Sequence, residues 1–248
     1  MRNRAKIRQA GFTLIEMMIV IVILSIIMGA IFKQIDVAQK RSTAEQQKLD
    51  MFQESREFAD MIVRDLRNAG YPNSRNFGPG TPNTDTRNAQ GLLYVGPADI
   101  WFEGAVDGDG VVYLVKYHLD TTGTDCPCLR RSKVSKVAAG SGAGDNYSVE
   151  VQYVQNGALT IPIFTYYDAS DTQVDLSSYT GNVIDGTSSS TASTDKAKIA
   201  SIQTIKVELS TQAKFADLQT GMRPVVTLDS YVTLPNCSQL NAGGTLHC

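Results

Sequence analysis

Four cysteines, two histidines and a glutamate set inside an apolar run are the side chains of this 248-residue chain best placed to do chemistry. Cys126 and Cys128 form a Cys-Pro-Cys, while Cys237 and Cys248 bracket the last twelve residues. Neither His118 nor His247 sits at zinc-finger spacing from the thiols, so no metal site is expected. An even cysteine count behind an export-type N-terminus favours disulfides. Between Cys237 and Cys248 lies a polar stretch with Gly243-Gly244 that turns back easily, and this pairing is the one expected. Cys126 and Cys128 then close on each other or stay reduced, and the crossed pairings remain as alternatives.

Catalytic constellations are absent. There is no Gly-x-Ser-x-Gly, His-Glu-x-x-His or phosphate-loop pattern, and two histidines supply a triad poorly. No catalytic residue, enzyme activity or cofactor is expected. Asp107-Gly108-Asp109-Gly110 resembles the start of a calcium loop. An EF-hand would need its third ligand at Val111 and its bidentate glutamate at His118, so the segment reads as a glycine-rich hairpin turn. Oxygen cages built on Asp99, Asp120 or Asp125 stay open. Arg130, Arg131, Lys133 and Lys136 form a short basic run, read as a solvated strand face with partner binding as the lesser reading. Arg2, Arg4, Lys6 and Arg8 contribute four of the positive charges, leaving 19 basic against 25 acidic side chains beyond them. A body at −6 has no bulk attraction for phosphates, and no nucleic acid partner is expected.

Glu16 needs an element that explains it. Phe12 to Phe32 is a run of 21 mostly apolar residues, about 31 Å long as a helix and enough to cross a bilayer core. The basic flank before it predicts a cytoplasmic N-terminus, a bias that Lys33, Lys40 and Arg41 weaken without matching. The run is too long for a cleaved secretory signal, and no small-residue cleavage site follows it. A plain anchor fits the length but leaves the carboxylate unexplained, and such a group in hydrocarbon costs on the order of 2.5–3.5 kcal/mol at mid-span.

Gly11-Phe12-Thr13-Leu14-Ile15-Glu16, behind its short basic leader, resembles the processing site of the type IV prepilin family. The resemblance implies that a prepilin peptidase cuts between Gly11 and Phe12 and methylates the new amino terminus of Phe12. It also implies that Glu16 neutralises the amino terminus of a neighbouring subunit, where unpaired charge is costly. Expected partners are the peptidase, other minor and major pilins, the inner-membrane assembly platform and the membrane itself.

The helix that carries this segment should run from Phe12 to Ala69, about 87 Å. No Pro or Gly occurs between Lys33 and Ala69, good helix formers abound, and Gly70 and Pro72 stop it. Leu49, Phe52, Ala59, Ile62, Leu66 and Ala69 form the stripe expected to carry a head domain. Many pilins place a Pro within the apolar half, and this chain has none. Residues 1–11 are thus a leader, 12–32 a transmembrane and filament-core helix, 33–70 its amphipathic half, and 71–248 a β-rich head.

Eight strand-like segments are expected in the head: Gly91–Val95, Asp99–Glu103, Val111–Leu119, Leu129–Val134, Ser148–Gln155, Leu159–Tyr167, Ile202–Thr211 and Val225–Leu234. Gly186 to Asp195 reads as a low-complexity mobile loop. The expected fold is α+β, a long helix packed on an antiparallel sheet. Phe58 to Tyr71 resembles the helix end of PilW-type minor pilins, and the Arg130-Arg131 and Ile205–Leu209 strands resemble those of J-type pseudopilins of type II secretion. The resemblance implies a minor pilin near a pilus tip, stored in the inner membrane with its head outward. A J-type pseudopilin and a tip adhesin presenting Thr/Ser/Asn-rich loops are the alternatives.

Overall fold

The computed structural model describes residues 11–73, 76–77, 85–123, 126–136, 144–181, 193–217 and 220–236. One helix, α1, occupies Leu14–Arg67. It starts at Thr13, whose extended backbone and hydroxyl cap the first turn, and it ends at Asn68. Gly70 then adopts φ of 75°, a conformation that a side chain would strain and that closes helices well. The Gly70 N–H donates to the Glu103 carbonyl at 2.9 Å. Gly104 lies so near that a Cβ there would meet the Asn68 carbonyl oxygen at 2.3 Å. Only glycine lets the helix end and the sheet approach this closely.

The head follows as β1 (Leu92–Val95), β2 (Asp99–Gly104), β3 (Tyr113–Asp120), β4 (Cys128–Ser135), β5 (Tyr147–Val151), α2 (Asn156–Leu159), β6 (Phe164–Tyr167), α3 (Ser193–Ser201), β7 (Thr204–Gln212) and β8 (Val225–Thr233). The first five strands make an antiparallel meander in chain order, and the last three make a second antiparallel sheet. Val154 bridges Thr211, which joins the two sheets beside α1. All eight expected strands are therefore present, with ends shifted by a few residues. The expected Leu159–Tyr167 strand is shorter, since Asn156–Leu159 is a helical turn. The Asn156 side chain there spans to the Glu208 carbonyl and the Ser210 N–H.

One expectation on the head is corrected. The segment read as a loop to Asp195 contains the start of α3. Asp195 is buried and accepts hydrogen bonds from the Thr180 N–H and hydroxyl, and Ile199 and Ile202 enter the core. Residues 186–192 lie outside the described residues.

The core lies between α1 and the sheets, around Phe58, Ile62, Leu66, Phe102, Tyr117 and Tyr166. Each large apolar side chain removed from water there contributes about 1.5–3 kcal/mol. Ala59, Ile62, Leu66 and Ala69 of the predicted stripe are buried there, and its lower end, Leu49 and Phe52, is not. The buried residues of α1 are Ser55, Phe58, Ala59, Ile62, Asp65 and Leu66, with Ala44 farther down. Leu49 and Phe52 are 60% and 43% exposed. At 100° per residue Leu49 points about 140° away from the centre of the buried face, and Phe52 sits about 80° off it. Two polar residues, Ser55 and Asp65, hold positions that an apolar count skips.

Candidate processing and assembly site

Gly11, Phe12 and Thr13 precede the helix in non-helical backbone. Phe12 is 81% exposed, and nothing approaches Gly11 where a side chain would stand. Among the described residues nothing at this position demands glycine. Thr13 and Glu16 form a capping box. The Glu16 N–H donates to the Thr13 hydroxyl at 3.3 Å, and the Glu16 carboxylate accepts from the Thr13 N–H at 2.9 Å and from its hydroxyl at 3.0 Å. Such a box satisfies two of the donors that a helix start leaves orphaned, and a cap of this kind is worth about 1 kcal/mol.

Glu16 thus has an intramolecular partner in the single chain, and pairing with a neighbour's amino terminus would have to compete with it. Thr13 is a functional residue beyond those expected. Its signal was present, because Thr-x-x-Glu just before an apolar run is the capping-box pattern. Beyond the box every residue from Leu14 to Phe32 is exposed. By length and composition α1 can cross a membrane.

The joint between stalk and head is polar at its centre. Asp65 accepts from the Tyr117 hydroxyl at 2.7 Å and from Arg131 Nε at 2.8 Å, with a second Arg131 nitrogen at 2.7 Å. Burial, then the Asp65 charge, pushes the Tyr117 phenol well above its ordinary value. Burial acts to lower the Arg131 pKa, yet Tyr117 and Asp65 outweigh it and hold it above the ordinary value. Ser55 and Thr211 share a buried hydroxyl contact of 3.0 Å on the same helix face.

The basic run is accordingly no solvated face. Arg131 locks the helix, Arg130 pairs with Asp120 at 2.8 Å, and Lys133 pairs with Asp107 at 2.5 Å. Lys136 meets Glu103 at 2.7 Å, with both side chains fully buried. A buried cation is tolerated only with such a partner, so sequence proximity here hid four separate structural pairs.

The aspartates considered for calcium are engaged as well. Asp109 accepts from the Val111 N–H and the Tyr113 hydroxyl, as a turn requires. The Tyr113 hydrogen bond holds the Asp109 carboxyl below its usual range, and Tyr113 rises to about 12. Asp99 faces His118, and Asp120 accepts from Thr122. Asp120 also lies near Cys126 and Cys128, but those two sulfurs are joined to each other and offer no thiolate. Asp125, Cys237, His247 and Cys248 lie outside the described residues.

Residues 6–32 match the family model of the prokaryotic N-terminal methylation motif. No curated protein and no solved structure gives a significant match. The motif supports a prepilin of the type IV pilin-like class. It implies processing by a prepilin peptidase and anchoring in the membrane through α1. That motif family is structural and not enzymatic. The long apolar helix on antiparallel sheets is consistent with the type IV pilin fold.

Proposed function

We propose that this chain is a minor type IV pilin, processed in the inner membrane and incorporated near the tip of a pilus. The observation that carries the reading is the Gly11-Phe12 junction, lying in non-helical backbone just before a capped helix whose apolar residues from Leu14 to Phe32 are all exposed. The peptidase cuts at that junction and methylates Phe12, and Glu16 pairs with the amino terminus of the next subunit. An exposed apolar rod of this length is stable only in lipid or among similar helices. Alternation between the two environments is the working cycle of such a subunit.

A head of 178 residues from Tyr71 onward favours a subunit placed once or a few times over one repeated in a dense lattice. A J-type pseudopilin is the second reading. The Arg130-Arg131 pair drawn on for that likeness serves internal ion pairs, which leaves the late β7 strand as its main support. Adhesion through the head loops is a third.

Mass spectrometry of the membrane-extracted chain, followed by detection of the chain in sheared pili, tests the proposal. A mature chain beginning at methylated Phe12 and present in pili is expected. A chain that keeps residues 1–11 refutes the processing. A processed chain found only with a secretion complex refutes the pilus assignment.

A further inference from the structure

The head descends α1 toward its apolar end, and one loop marks how far it reaches. Asn236, just past β8, donates to the carbonyls of Arg67 and Ala69 at 3.1 and 3.3 Å. Thr211, near the end of β7, touches Ser55. The β7–β8 connection goes farther, bringing Phe215, Ala216 and Asp217 against Lys40, Thr43 and Ala44. This cover makes Ala44 the only buried residue of α1 before Ser55 among the described residues. The loop folds on itself, with the Ala213 N–H on the Pro224 carbonyl and the Asp217 N–H on the Met222 carbonyl, both at 2.8 Å. Met222 therefore sits at the level of Asp217. Phe215 is 61% and Met222 74% exposed, and Lys214 and Arg223 adjoin them in the chain.

Two large apolar side chains exposed at the lowest described point of a head call for a partner, and their height selects one. The loop faces Lys40, Thr43, Ala44 and Gln47, which lie about 12–23 Å along the helix from Phe32, the last residue of the apolar run. The polar layer of a bilayer extends about 5–8 Å beyond its hydrocarbon. A helix tilt of about 20° toward the head lowers a loop carried about 10 Å off the axis by a further 3–4 Å, roughly. That leaves the lower edge of the loop, at Lys40, within a long side chain's reach of the headgroups.

We propose that Phe215 and Met222, exposed on the β7–β8 connection, form a membrane-interface contact, seating the head on the phospholipid headgroup layer while the chain is held in the bilayer. Phe215 and Met222 enter the interfacial layer. Arg223 keeps its charge at the phosphates while its stem lies along the apolar surface, whereas the Lys214 ammonium is turned up toward the Tyr153 ring. The contact fixes the azimuth of the head around its helix, which an unsupported single span leaves free. It rests on the reading of α1 as membrane-anchored, and the test separates the two.

The single tryptophan, Trp101, is replaced in a Trp101→Phe background, and one tryptophan is then introduced at Phe215, Val20 or Val111. The full chains are reconstituted in vesicles of phosphatidylethanolamine and phosphatidylglycerol. Part of the lipid is brominated either near the headgroup or deep in the acyl chains, and unfolding curves confirm that each variant is folded. Val20→Trp should be quenched by deep bromine. Val111→Trp, at the opposite end of the head, should be quenched by neither. Phe215→Trp should shift to the blue and lose emission with shallow bromine only.

Deep quenching at position 20 with none at 215 overturns the loop contact while leaving the span intact. Absence of quenching at position 20 removes the span and the loop contact together. A tryptophan at 215 that is shielded from aqueous acrylamide but unquenched by lipid shows a protein partner, and that also overturns the proposal.

Discussion

Replacing Asp65 by alanine should be among the most damaging single changes available in the head. The Asp65 side chain is 6% exposed and that of Arg131 14%. Alanine at 65 leaves a guanidinium largely out of water without its counter-charge, and it leaves the Tyr117 hydroxyl without the acceptor it holds at 2.7 Å. Removing one member of a buried pair costs about 3–5 kcal/mol, most of it for the charge left behind. For a body of this size each kcal/mol lowers the melting temperature by about 2–4 °C, so a fall of roughly 6–20 °C is expected. Thermal and urea unfolding of the detergent-solubilised chain would measure it. Asp65→Asn keeps an acceptor for Tyr117 and should cost less than alanine. Asp65→Leu combined with Arg131→Met removes both charges and should recover much of the loss, because apolar replacements of buried pairs are often neutral. The reasoning fails if Asp65→Ala melts within a degree or two of the parent. It fails equally if the paired replacement is worse than Asp65→Ala alone.

Four further outcomes follow from the same structure. Gly11→Val should leave unprocessed precursor in the membrane, read as a heavier band and an intact leader by mass spectrometry; normal maturation would remove the peptidase junction from Gly11-Phe12. Glu16→Ala should insert and be cut normally yet enter pili poorly, and Glu16→Gln, which keeps an acceptor for the Thr13 cap without the charge, should enter equally poorly if pairing rather than capping is what assembly needs. Tyr117 and Tyr166 are both pushed well above the ordinary phenol value by burial; their neutral forms favour the fold, so their contribution is complete below about pH 10 and is lost as pH rises through the folded values. Urea midpoints should fall in that alkaline range as tyrosinate absorbance appears with unfolding, and early ionisation of all ten tyrosines in the folded chain would contradict their burial. Non-reducing peptide mapping should join Cys237 to Cys248, a closure worth about 3 kcal/mol in the chain-entropy model, and a peptide linking either to Cys126 or Cys128 would overturn that pairing.

What the sequence made legible was whatever depends on near neighbours. The helix could be read because nothing between Lys33 and Ala69 breaks one, and the strands because apolar residues alternate, as in Val115, Tyr117 and Leu119 on β3. The helix α3 was hidden because its first residues, Ser193 to Asp195, carry the polar composition of a loop. They turn helical once Asp195 is buried against Thr180 and Ile199 and Ile202 reach the core. The expected stripe on α1 holds at Ala59, Ile62, Leu66 and Ala69, which are buried, and fails at its lower end for a related reason. Hydrophobicity promised burial to Leu49 and Phe52, whereas Ser55 and Asp65 are the residues the sheets cover.

The same distinction of range separates the two ends of α1. The capping box and the peptidase junction occupy six consecutive residues, so recognition at that end needs only an exposed local segment and leaves a readable motif. The joint to the head has no such economy. Asp65 finds Arg131 across 66 positions and Ser55 finds Thr211 across 156, and no spacing rule connects them. A polar residue on the core face of a helix reads in isolation as a flaw. It becomes a specific lock only when a partner of matching charge arrives from another strand, and the desolvation that makes Asp65 costly without Arg131 also disfavours any other docking angle. Substitutions at the processing end should therefore change whether the chain is cut or assembled while the head stays as stable as before. Substitutions at the joint should change head stability while Gly11-Phe12 is still cut, and a joint variant that is destabilised yet fully processed would show that the two ends act independently.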